Sequence, residues 1–205
     1  VTDRAERALA IEANRLLGGD VVVRGDAPIV GKLSDAANAP GLQRADTLSL
    51  NSMIRSGEQL RLGDLRALGE GFPLRGSFRI IDQPGAVERD AAGIPLPGTV
   101  WMSQSGAETL DARIGDTIGI GESQFRLVAL VVQEPDASLD YFNVAPKAFL
   151  NLADSPATWL VQEGSRLGYR LVVAGDAAEV ERFAAEARPA LARGQRMETI
   201  QDARP

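Results

Sequence analysis

A chain of 205 residues with 44% apolar and 24% charged side chains has an ordinary globular composition, and its length allows one large domain or two small ones around a sizeable core. Its net charge of −6 argues against a nucleic-acid footprint, which needs clustered basic residues, and more weakly against docking on an anionic membrane surface. Cys and His are both absent, which excludes disulfides, thiolate catalysis, Cys- or His-ligated metal and His-dependent triads. Lys32 and Lys147 are the only lysines, so nearly all positive charge is Arg. No apolar run approaches the roughly 18 residues of a membrane-spanning helix. The chain opens on Val1 and runs directly into helical sequence, as expected of a segment from a longer protein whose signal or anchor lies elsewhere.

Thr2 to Leu17 reads as a helix with Leu9, Ala13, Leu16 and Leu17 on one side, stopped by Gly18-Gly19. Its other side carries charges of mixed sign at helical spacing, the pattern of a solvated face or a stalk. Asp20 to Arg24 is a short Val-rich strand, and Gly31 to Ala39 a weak helix ended by Pro40-Gly41. Ala45 to Ile54 turns β-like, Ser56-Gly57-Glu58 makes a turn, and the strand resumes at Gln59. Gly63-Asp64 interrupts the return strand, which predicts a bulge or kink there. Gly69 to Gly76 is a punctuated connector that should pack Phe72 and Leu74 inward. Its Gly-x-Gly pair runs into Phe-Pro rather than a helix N-terminus, so it lacks the setting of a phosphate loop.

From Ser77 the character becomes β-dominated. A strand begins at Phe78, a Gly- and Pro-rich loop runs from Gln83 to Pro97, and Thr99 to Met102 is a strand holding Trp101. Ser105 to Leu110 forms a short helix. Ile114 to Val132 is the most strongly patterned stretch of the chain: two paired strands around Gly121-Glu122-Ser123. Pro146 to Leu152 is expected to make a helical turn or two, and Pro156 to Val161, with Trp159, a strand. After Gly164 the pattern becomes strand (Tyr169 to Ala174), helix capped by Asp176, and strand (Arg196 to Ile200), with Pro189 limiting the helix. The first and last parts are each too small to bury their helices alone. Together they predict one two-layer α/β sandwich, with the β-rich middle inserted and both chain ends near the same face.

Candidate chemistry is sparse. Asp136 and Asp140 stand four apart in an irregular stretch, and Glu179, Glu181 and Glu186 read as solvated carboxylates on the last helix. Ser103, Ser105 and Ser123 lack a Lys at a nucleophile-activating spacing. Scattered aromatics disfavour a base-stacking platform. The residues point away from an enzyme, and no cofactor or metal is expected.

Several blocks, in order, carry a resemblance: Asp3-Arg4 with Ala8-Leu9, then Leu16-Leu17-Gly18-Gly19-Asp20-Val21-Val22-Val23, then Ser52-Met53. Phe72-Pro73-Leu74-Arg75-Gly76 is the most specific of them, and Gly115-Asp116-Thr117-Ile118 running into Phe125-Arg126-Leu127-Val128 follows. The chain resembles the extracytoplasmic, MacB-like periplasmic core domain of FtsX/MacB-type ABC-transporter permeases, most closely the YbbP-like branch. Phe72 stands where that branch often has Tyr. The resemblance implies an α+β fold in which a porter-like two-layer α/β subdomain (βαββ + βαβ, residues 1–77 and 165–205) is interrupted by a β-rich sabre-like subdomain (78–164). Residues 1–18 would be a stalk helix continuing from an upstream membrane helix. It implies a non-catalytic domain coupling ATP hydrolysis by a cytoplasmic ABC ATPase subunit to movement or release of hydrophobic, lipid-like or lipoprotein cargo, without nucleic acid. The alternative is an FtsX-like module that regulates a periplasmic partner such as a cell-wall hydrolase. Tyr141, Phe142 and Trp159 are the candidate partner contacts.

Overall fold

The computed structural model describes residues 2–136, 145–162 and 165–199; side chains 9–16 lie outside the description, as do Asp140, Tyr141 and Phe142. Helix α1 (Thr2–Leu17) leads into β1 (Val21–Gly25), α2 (Lys32–Ala37), β2 (Leu42–Ser56) and β3 (Gln59–Leu68). The middle of the chain supplies β4 (Arg79–Ile81), β5 (Arg89–Asp90), β6 (Thr99–Ser103), α3 (Gln104–Thr109), β7 (Thr117–Ile120), β8 (Ser123–Gln133) and β9 (Lys147–Asn151). The last part is β10 (Gly168–Gly175), α4 (Ala177–Ala187) and β11 (Arg196–Thr199). The element order is thus βαββ after α1 and βαβ at the end, in an α+β fold.

The eleven strands of the described residues belong to one sheet, ordered β11-β1-β10-β2-β3-β9-β6-β8-β4-β5, with β7 bridging β2 and β8. That bridge closes a ring, β2-β3-β9-β6-β8-β7 and back to β2. Closure satisfies the strand edges that an open hairpin would leave bare. Strand alternation then sends Leu65 and Ala67, Val100 and Met102, Ala148 and Leu150, Ile118 and Ile120 into the barrel, where they meet Ile54, Phe125 and Leu127. Ala107 and Leu110 of and just after α3 join this interior. At the other end of the sheet, α2 and α4 lay Leu33, Ala37, Phe183 and Ala187 over Val21, Val23, Leu171 and Val173. A third cluster covers the opposite face. Phe78 sits at its centre, edge-on to Phe72, Trp101 and Phe149 with ring centroids 6.1, 5.5 and 5.4 Å away. Such pairs each add about 0.5–1.5 kcal/mol beyond burial.

Several local expectations are corrected. The Lys147–Asn151 segment is strand β9, not a helical turn: it runs parallel to β3 and antiparallel to β6. Ala148, Phe149 and Leu150 are all buried because this strand is covered on both faces, and such a run has no period to read. Pro156 to Thr158 is a 3₁₀ turn rather than a strand, and Trp159 ends it in a left-handed conformation with φ 59°. There is no bulge at Gly63, since β2 and β3 pair in continuous register from Thr47↔Leu68 to Ser56↔Gln59. Glycine is needed there for close approach: a Cβ would lie 2.5 Å from both Pro146 O and Ile54 Cδ1. The β7–β8 hairpin pairs as expected but also reaches outside residues 78–164, through Ile54↔Ile120 to Ser56↔Ile118. β9 does the same through β3, so hydrogen bonding is unbroken across residue 77. Asp176 occupies the N-cap of α4 without a side-chain capping hydrogen bond.

Candidate functional site

The Phe72–Gly76 block and the Leu16–Val23 block meet just after α1. Gly18, at φ +66°, turns the chain so that its carbonyl accepts hydrogen bonds from both Leu74 N (2.9 Å) and Arg75 N (3.0 Å). A Cβ at Gly18 would sit 3.1 Å from the Phe72 ring. The Asp20 side chain is buried, and Arg75 Nε and Nη2 each donate to it at 3.2 Å. Gly175 N, at the end of β10, donates to the same carboxylate at 3.1 Å. Asp20 N in turn donates to Val173 O. Phe72 is fully buried and Leu74 packs against the same cluster, as the connector's pattern predicts; the Phe72–Pro73 peptide is cis. Gly76, at φ 76°, lets the chain turn away toward β4. The turn that follows α1, the connector after β3 and the end of β10 are therefore fastened to one another.

The other named residues have local roles. Gly115, at φ 101°, and Asp116 build the turn before β7: the Asp116 side chain accepts from Arg113 N at 2.8 Å, and Asp116 O accepts from Leu127 N at 2.9 Å. Thr158 O accepts from Glu122 N and Ala157 O from the Ser123 hydroxyl, so the 3₁₀ turn clamps the β7–β8 hairpin tip. Trp159 next to it is 64% exposed. Glu179 and Glu186 pair with Arg182 on the open side of α4. Ser103 Oγ caps α3 and accepts from Lys147 N. Among the described residues no group of acids is placed to hold a metal ion.

A feature that sequence reasoning missed lies on the sheet face opposite α2 and α4. Arg196, Arg24 and Arg170 are direct cross-strand neighbours on β11, β1 and β10, and Thr47 of β2 continues the row. Directly opposed like charges destabilise a sheet unless counter-ions intervene. Glu198 serves Arg24, with Nε 2.9 Å from its carboxylate, and stands 3.8 Å from Arg196. Asp136, whose side chain is 4% exposed, accepts two hydrogen bonds from Arg66, at 2.8 and 2.9 Å, and a longer one from Arg170, at 3.3 Å. Glu134 lies 3.4 Å from Arg66 and 2.9 Å from Lys147 Nζ. The far side of Arg66 faces the Phe72 ring, 5.4 Å from its centroid, which ties this cluster to the α1 junction.

The two arginines on Asp136 differ in consequence. Burial opposes charge on Arg66, yet Asp136 and then Glu134 outweigh it and hold the guanidinium above its usual range. Arg170 is pushed down to about 10, by burial first and then by repulsion from Arg66 and Arg24, because Asp136 is already committed to Arg66. Above this cluster run two adjoining grooves of about 620 and 530 Å³ that share Asp26, Ser49, Leu167 and Arg170. The only signal for it in the sequence is a lone Arg in each of three short strands, and adjacency of those strands is a tertiary fact. Asp136 is the counter-ion of two arginines; Asp140, with which it was weighed as a carboxylate pair, lies outside the described residues.

No family model matches the chain. It is 27% identical over 183 residues to the uncharacterized ABC transporter permease YbbP of Escherichia coli (strain K12), a match that takes in 89% of this chain but 22% of that relative's length. Among solved structures it superposes on the periplasmic region of MacB from Actinobacillus actinomycetemcomitans with a TM-score of 0.56, 14% identity and 94% of each chain covered. The extracellular domain of the noncanonic ABC-type transporter YknZ from Gram-positive bacteria gives the same TM-score at 9% identity, covering 88% of this chain and all of that one.

Proposed function

We propose, for a chain that is a MacB-like extracytoplasmic domain of the ABC-transporter-permease kind, that it acts as the coupling domain of its permease. In this reading it stands on the periplasmic side, performs no chemistry itself, and takes displacement from a membrane helix continuous with α1. ATP hydrolysis by a cytoplasmic ATPase subunit drives that displacement, and the domain converts it into movement or release of hydrophobic or lipid-like cargo. The observation that carries the reading is the fastening at Gly18–Asp20. A helix of 16 residues is a lever about 24 Å long. Its end is gripped by the connector after β3 and by the end of β10, so a tilt of α1 loads the sheet at two separate strands rather than at a loose loop. Thr199 pairs with Val21, so the chain leaves β11 beside the point where α1 arrives. That placement supports two side-by-side connections toward the membrane. The porter-like unit (1–77 and 165–205) and the sabre-like unit (78–164) would then move together through β2, β3 and the Asp136 cluster.

The test is a distance measurement in the full-length permease with its ATPase in proteoliposomes, between spin labels at Arg4 and Glu122. ATP should change that distance. Arg75→Gln, with ATP turnover retained and the domain still folded by circular dichroism, should shrink the change. An ATP-independent distance, or an Arg75→Gln variant that responds like the parent, would overturn the proposal. The exposure of Trp159 favours the second reading, an FtsX-like module acting on a periplasmic protein. Trp159→Ala would then abolish capture of a protein from periplasmic extract, and recovery of lipid or lipoprotein alone counts against it.

A further inference from the structure

Beyond the groove residues Asn51 and Asp64, the same face of β2 and β3 becomes apolar. On the outward face of the β2–β3 hairpin the cross-strand pairs run Ser49↔Arg66, Asn51↔Asp64, Met53↔Leu62 and Arg55↔Leu60. Met53, Leu60 and Leu62 are 44%, 45% and 60% exposed, although Ile54, next to Met53 and of opposite parity, is buried in the barrel. Single exposed leucines are ordinary, but three adjoining apolar side chains on one face of two paired strands form a continuous strip. Leu62 is four residues from Arg66, about 13 Å along the strand. One surface thus passes from cationic, across Asn51 and Asp64, to apolar over the length of a short hydrocarbon chain.

The charge is not used up by the protein. Asp136, Glu134 and Glu198 serve Arg66, Lys147 and Arg24 in the floor of the groove. Arg170 keeps one 3.3 Å contact to a carboxylate already held by Arg66 through both oxygens, and Arg196 is 3.8 Å from one already held by Arg24. Arg166 is exposed on the rim and makes no ion pair among the described residues. Asp26 and Asp64 also line the groove, on the side toward the hairpin, and favour a ligand with a single compact head over a polyanion.

We infer that this face binds one molecule of an anionic amphiphile, its phosphate or carboxylate head at Arg170 and Arg166 and its hydrocarbon chain along Met53, Leu62 and Leu60. This names the class of the hydrophobic cargo proposed above and rests on that reading for its role in transport; binding itself is measurable without transport. The probe is dodecyl phosphate below its micellar concentration, titrated calorimetrically into the 205-residue chain beside inorganic phosphate and dodecyl maltoside. Dodecyl phosphate should bind at least about tenfold more tightly than either, because only it meets both halves of the surface. Arg166→Gln, an exposed change without structural partners, should weaken dodecyl phosphate and phosphate alike, by about fivefold. Met53→Ser with Leu62→Ser should weaken dodecyl phosphate alone. Equal binding of dodecyl maltoside, affinity untouched by both sets of variants, or binding only to vesicles of anionic lipid would overturn the inference. A chain that binds the probe yet shows no ATP-dependent distance change would retire the coupling proposal and leave this site standing.

Discussion

Asp136→Asn removes one negative charge and keeps the shape of the side chain, so it isolates what the carboxylate does. In the folded protein Asp136 is nearly inaccessible and is the principal partner of Arg66, itself buried, with Arg170 on its second oxygen. Breaking a buried pair by removing one partner costs about 3–5 kcal/mol, since the remaining charge stays desolvated. Glu134 remains 3.4 Å from Arg66 and offsets part of that loss, but Arg66 and Arg170 now repel each other without Asp136 between them. We therefore expect about 3 kcal/mol. For a chain of this size that lowers Tm by about 6–12 °C. Urea denaturation followed by circular dichroism should show the loss with an unchanged m-value. A cost below about 1 kcal/mol would refute the reasoning, because it would mean that water screens the cluster as it screens a surface pair. Since Asp136 follows β8 while Arg66 and Arg170 lie on β3 and β10, the same variant loosens the attachment between the barrel and the helix-covered part of the sheet.

Arg170→Met should behave in the opposite sense, costing under about 1 kcal/mol or stabilising, because it removes a charge that its surroundings disfavour while Asp136 keeps Arg66; a loss as large as that of Asp136→Asn in the same urea titration would contradict this. The sign of the linkage agrees: with a folded pKa of about 10, below the ordinary arginine value, the penalty is complete below pH 10 and the parent gains stability as the pH rises beyond it, a rise that Arg170→Met should lack. Gly63→Ala should cost about 1–3 kcal/mol by thermal denaturation, since its Cβ meets Pro146 O and Ile54 Cδ1 at 2.5 Å and backbone cannot easily give way; a bulge at that position would instead tolerate alanine.

Local periodicity and punctuation were sufficient for α1 and its Gly18-Gly19 stop, for the βαββ and βαβ order of the flanking segments, and for the β7–β8 hairpin. The resemblance singled out Gly18–Asp20 and Phe72–Gly76 as separate blocks; folding made them one joint. What failed was every feature decided by a distant strand. Lys147–Asn151 is a strand because β3 and β6 flank it, and Gly63 is a contact because Pro146 lies against it. Neither neighbour is near in sequence. The barrel depends on β7 finding the end of β2, across some sixty residues of chain, a pairing that no local pattern encodes. The arginine row is the same kind of fact. Each Arg is legible as a charge on one side of its own strand, but a charge acquires its pKa, its counter-ion and its possible ligand from what is placed within a few ångströms, and only the assembled sheet places Arg24, Arg170 and Arg196 side by side.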